Sequence, residues 1–83
     1  MENKVLVEIF IPAIDKSLDL YIPLNKRIGN VITLINKALK EIDDAYNLPP
    51  SMVLYNRYTS KSYATNELVA YTDIKSGSSL ILV

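Results

Sequence analysis
Between Pro23 and Ile28 the hydrophobic pattern of this chain changes period, from two residues to between three and four. A segment that alternates apolar and polar residues fits a strand with one buried face. A segment with apolar residues at i, i+3, i+4 and i+7 fits a helix with one buried stripe. Joined end to end, they require a strand layer and a helix packed over one core.

Val5-Leu6-Val7-Glu8-Ile9-Phe10-Ile11 is rich in β-branched residues. Its parity puts Val5, Val7, Ile9 and Ile11 on one face and Leu6, Glu8 and Phe10 on the other, with Glu8 marking the wetter side. Ser17 to Ile22 alternates as well, with Leu18, Leu20 and Ile22 inward. Pro12-Ala13-Ile14-Asp15-Lys16 is a connection of hairpin length, and Pro23, which has no N–H for the ladder, ends the second strand.

Ile28, Val31, Ile35, Leu39 and Ile42 then form one helical stripe, widened by Ile32 and Ala38. Asn36, Lys37, Lys40, Glu41 and Asp44 sit mostly opposite. Asn25 is a candidate cap, and Gly29 is tolerable only in the first turn. Asp43 and Asp44 lie where the helix dipole disfavours anions, so an irregular last turn is expected. Pro49-Pro50 forbids continuation.

Met52 to Tyr55 reads as a short third strand, and residues 56 to 67 as polar and irregular. The tail Leu68-Val-Ala-Tyr71-Thr-Asp-Ile74-Lys-Ser-Gly77-Ser-Ser-Leu80-Ile-Leu-Val83 reads as an apolar segment, a turn with φ > 0 at Gly77, and a last strand over Leu80 to Val83. The expected fold class is α+β, in the order β-β-α-β-(short elements)-β, with one helix across a mixed sheet. All 83 residues are expected to form one domain.

Composition excludes several functions. Apolar residues at 49% and charged residues at 22% fit a globular chain that buries roughly 60–65% of its unfolded surface. Lys and Arg equal Asp and Glu at 9 each, which argues against nucleic-acid or anionic-membrane binding driven by excess positive charge. With no Cys and no His, disulfides, thiolate chemistry and the usual proton shuttle are absent. No secretory signal and no apolar stretch of spanning length is visible, so a cytoplasmic location and no membrane insertion are expected.

These residues resemble a ubiquitin-like β-grasp over nearly the whole chain. The resemblance rests on the N-terminal hairpin, Pro23, the helix with Ile28, Val31 and Ile35, and the Leu48-Pro49-Pro50 exit. It rests also on the tail with Leu68 or Val69, then Ile74, Gly77, Leu80 and Leu82. From Ile28 to Leu48 the helix region is about two turns longer than ubiquitin's, and the sequence ends at Val83 without a Gly-Gly terminus. Ubiquitin and the bacterial sulfur carriers act through a C-terminal glycine carboxylate, so conjugation is not expected here. In these departures the chain is similar to the YukD family, accessory components of the type VII (Esx, WXG-type) secretion systems of Gram-positive bacteria. That resemblance implies a cytoplasmic, non-catalytic interaction role with the secretion system's membrane proteins or ATPase. It implies no catalytic residue, cofactor or metal.

Each candidate site competes with a plainer reading. Glu41, Asp43 and Asp44 lack the loop spacing of a cation site and read as a solvated helix end. Ser76-Gly77-Ser78-Ser79 precedes a strand rather than a helix, so it reads as a turn and not a phosphate loop. Tyr55, Tyr58, Tyr63 and Tyr71 around Arg57 have the residue types that stack bases. Without a basic groove they read instead as rings at the core margin with wet hydroxyls.

The stronger candidate is the sheet face away from the helix. Parity puts Leu6 and Phe10 there on the first strand, and Ile81 and Val83 on the last. In a β-grasp these strands are parallel neighbours, so the four would form an exposed apolar patch for protein partners. A ubiquitin-like modifier or sulfur carrier is the alternative, and a small RNA-binding module a third reading.

Overall fold
The computed structural model describes residues 3–49 and 51–83. The described chain forms β1 (Lys4–Ile11), β2 (Lys16–Pro23), α1 (Ile28–Ile42), β3 (Leu54–Asn56) and β4 (Ser79–Leu82), with 3-10 turns at Pro12–Ile14 and Val69–Tyr71. The sheet runs β2-β1-β4-β3. β1 pairs antiparallel with β2 and parallel with β4, and β4 pairs antiparallel with β3. The expected α+β order is therefore present, with the first and last strands side by side at the centre.

The hairpin follows the sequence parity. Val7, Ile9, Ile11 and Ile22 are fully buried, and Leu18 and Leu20 are half-buried because β2 is the sheet edge. The connection closes with Asp15 at φ 51, a left-handed conformation that Asp tolerates, and the Asp15 N–H donates to the Pro12 carbonyl at 3.1 Å. β3 is displaced from the expected Met52 to Tyr55, and β4 begins one residue early. Val83 still exchanges two backbone hydrogen bonds with Val53, at 2.7 and 2.9 Å.

α1 buries Ile28, Val31, Ile35 and Leu39 against the sheet. Two expectations about it need correction. Ile42 is 67% exposed. At ~100° per residue its direction lies within the buried arc, so the exposure comes from its place as the helix's last residue. Asn25 does not cap. The helix begins after Arg27 with no side-chain cap, and the loop ahead of Leu68 serves instead. The Ile28 N–H donates to the Glu67 carbonyl at 2.8 Å and the Gly29 N–H to that of Thr65 at 2.9 Å. A Cβ at Gly29 would stand 3.3 Å from the Thr65 oxygen, so glycine permits this approach.

At the other end the helix stops at Ile42, and Asp43 leaves in an extended conformation. Leu48 and Met52 fold back onto the core. Pro50, part of the Pro-Pro exit, lies outside the described residues. In the tail, Val69 rather than Leu68 is the core residue, joined by Ile74, Leu80 and Leu82. Gly77 has φ 91, the conformation expected of its turn. Among the described residues no helix is long and apolar enough to cross a membrane.

Candidate functional site
The strand registers arrange the outer sheet face in rows. Tyr21 faces Leu6 across β2 and β1. Next comes Asp19–Glu8–Ser79, extended to Arg57 by the Arg57 N–H to Ser79 carbonyl bond at 3.0 Å. Beyond it lies Ser17–Phe10–Ile81–Tyr55, and at the far end Val83 opposite Val53. The second row is polar. The third is apolar apart from Ser17.

Arg57 joins these two rows. Its Nη1 stands 3.5 Å from Glu8 Oε1, and its guanidinium carbon lies 5.6 Å from the centroid of the Phe10 ring, within cation–π reach. Glu8 Oε1 also accepts the Ser79 hydroxyl at 3.2 Å. Both ion-pair side chains are about half-exposed, at 44% and 48%. A tight turn fixes the segment that carries Arg57. Asn56 Oδ1 accepts the N–H groups of Tyr58 and Thr59 at 2.9 and 3.2 Å, and Ser60 closes the turn at φ 62.

The structure therefore divides the expected patch. Phe10 and Ile81 are directly paired, and Val83, 55% exposed, follows on the same side. Leu6, 39% exposed, belongs instead with Tyr21, across the polar row. The reason is Glu8, which shares the outward parity of Leu6 and Phe10 and lies between them. Tyr55, Arg57 and Val53 complete the apolar end. Their shared parity, opposite to the inward Leu54, was the available signal, and reading the tyrosines as one group, as rings at the core margin, passed it over.

The tyrosines separate. Tyr58 and Tyr71 are strongly exposed, Tyr55 is half-buried on the outer face, and Tyr63 is 3% exposed in the core. A wet hydroxyl is thus wrong for Tyr63. It donates to Asp73 Oδ1 at 2.5 Å, and Asn56 Nδ2 approaches it at 3.4 Å. Burial, then the Asp73 hydrogen bond, pushes its pKa up to about 12. Glu41, Asp43 and Asp44 are exposed, and Asp43 Oδ1 accepts the Ala45 N–H at 2.9 Å.

Two of the hollows among the described residues lie beside the sheet and the helix. One of about 240 Å³ opens on the outer face between Tyr55, Asn56, Arg57, Ser60, Ile81 and Val83. The other, about 220 Å³, lies beside α1 between Ile32, Asn36, Leu48, Met52 and Thr65. There, Asn36 Oδ1 is buried with no hydrogen-bond donor among the described residues.

No family model and no curated protein matches the sequence. Solved structures do match the fold. Ubiquitin from Caldiarchaeum subterraneum superposes with a TM-score of 0.70 at 21% identity, covering 95% of this chain and 90% of that one. The fold is a ubiquitin-like β-grasp. A structure concerned with molecular mimicry of SUMO in DNA repair gives a TM-score of 0.79 at 14% identity, covering 98% and 91%. A chain of an ESX-5 inner membrane complex gives 0.68 at 12% identity. It covers 98% of this chain and 21% of that much longer one.

Proposed function
We propose that this chain is a non-catalytic, cytoplasmic protein-interaction module whose working surface is the outer sheet face. The observation that carries this is the Phe10–Ile81–Tyr55 row with Val83 beside it. Apolar side chains stand here on the solvent side of a sheet whose other face already holds the core. A chain without Cys or His, with the hydroxyls of the buried Tyr63 and Ser79 held in structural bonds to Asp73 and Glu8, is better suited to binding than to bond chemistry.

Its finer role is that of a YukD-like accessory protein of a type VII secretion system. The resemblance to that family supports this reading, as does the likeness to a domain-sized part of an ESX-5 complex chain. The partners would then be membrane components of the system or its ATPase. In the cells the protein comes from, deleting its gene should block export of WXG-type proteins. The wild-type gene should restore export, and Ile81→Asp should fail to do so while the purified variant stays folded. Export that survives the deletion overturns the secretion role. The likeness to a ubiquitin keeps a modifier role as the second reading. Mass spectrometry of the protein from its own cells decides between them, because an isopeptide or thiocarboxylate at its C-terminal carboxylate would establish the modifier.

A further inference from the structure
The outer-face hollow has a chemical character beyond being apolar. Tyr55, Ile81 and Val83 supply its greasy lining, and Arg57 carries the one charged side chain among the lining residues. A guanidinium has five N–H donors in a planar fork. Among the described residues Arg57's side-chain contacts are one long approach to Glu8 at 3.5 Å and the face of Phe10. The fork thus retains most of its donors, at the rim of an apolar recess, on a turn held by Asn56 and Ser60. A carboxylate is the group that satisfies such a fork in two-point fashion.

We propose that this hollow binds an aliphatic side chain of a protein partner with a carboxylate beside it, the side chain lying on Tyr55, Ile81 and Val83 and the carboxylate pairing with Arg57. The inference rests on the outer face being the partner surface. It also gives Glu8 a role. Glu8 occupies Arg57 in the free protein and competes with the incoming carboxylate, so Glu8 and Arg57 act on binding with opposite sign.

The test is an NMR titration of the ¹⁵N-labelled protein with three small probes. N-acetyl-L-leucine carries the aliphatic group and the carboxylate, N-acetyl-L-leucinamide lacks the charge, and N-acetylglycine lacks the side chain. N-acetyl-L-leucine should shift the amides of Arg57, Ile81 and Val83 with a Kd on the order of millimolar. N-acetyl-L-leucinamide should bind about 3–5-fold more weakly, the range expected of one exposed ion pair, and N-acetylglycine at least as much more weakly for want of the apolar contact. Arg57→Gln should abolish the difference between leucine and leucinamide, and Glu8→Gln should widen it. Both side chains are half-exposed, and unchanged spectra elsewhere confirm that the variants are folded. Equal binding of leucinamide, a difference that survives Arg57→Gln, or no shift at the hollow overturns the inference. If the probes fail while Ile81→Asp still blocks function in cells, the outer face stands and only this chemistry falls. If Ile81→Asp is also silent, the face itself is wrong.

Discussion
The two faces of the sheet are built from the same strands and have opposite logic. On the inner face Val7, Ile9, Ile11, Ile22, Leu54, Leu80 and Leu82 are all at most 1% exposed, and they meet the buried stripe of α1. On the outer face Leu6, Phe10, Ile81 and Val83 are apolar too, yet none is buried. Fully removing one such side chain from water is worth about 1.5–3 kcal/mol, and the inner residues gain nearly all of it. Leu6 and Val83 forgo a large part of it, and the half-buried Phe10 and Ile81 a smaller part.

Substitution should make that contrast measurable. Ile9→Ala empties a fully buried position beside Leu80 and should cost about 3 kcal/mol by denaturant unfolding. Phe10→Ser, its half-buried neighbour on the other face, should cost about half as much, as should Ile81→Ser. Outer-face losses as large as that of Ile9→Ala would show both faces to be core and would remove the interaction surface.

A second test concerns the polar group set within the dry side. Tyr63 is neutral in the fold, and its pKa rises from 10.0 to about 12. Its contribution is therefore complete below pH 10 and falls away as pH rises toward 12, when the unfolded chain ionises first. Two pKa units correspond to about 3 kcal/mol. Wild-type stability should drop by that order across this range, beyond any drop seen in Tyr63→Phe. Parallel pH profiles for the two proteins would refute the part-buried Tyr63–Asp73 bond.

What was legible in the sequence follows the same division. Period and parity disclosed the hairpin, the helix stripe, the inward Leu80 and Leu82 and the Gly77 turn, because each depends on neighbours close in sequence. The helix cap did not show, since Glu67 and Thr65 reach α1 from nearly forty residues away. Nor did the Tyr63–Asp73 bond or the polar row that sets Leu6 apart from Phe10. That row exists only once Asp19, Glu8 and Ser79 from three strands and Arg57 from the turn after β3 are brought into line.

Asn36 sharpens the comparison on the helix side. It stands among residues that otherwise bury apolar surface, and its Oδ1 lacks a donor among the described residues. An unsatisfied buried acceptor costs about 1–3 kcal/mol. Asn36→Leu, similar in shape, should therefore stabilise the protein by about 1 kcal/mol in thermal or chemical unfolding. Destabilisation would mean that the side chain has a partner that Leu cannot replace.

The smallest expected effect is at the ion pair on the outer face. Arg57 and Glu8 are half-exposed and 3.5 Å apart, so water and salt screen their attraction. Arg57→Gln loses this pair and the contact over Phe10, each worth no more than about 1 kcal/mol at such exposure. Its stability deficit against wild type should be below about 1 kcal/mol at low salt and smaller still near 1 M NaCl. Glu8→Gln retains the acceptor for the Ser79 hydroxyl and should cost less. A large, salt-insensitive loss in Arg57→Gln would make the guanidinium a structural cover for Phe10. The outer face would then differ from the inner one only in how it is sealed.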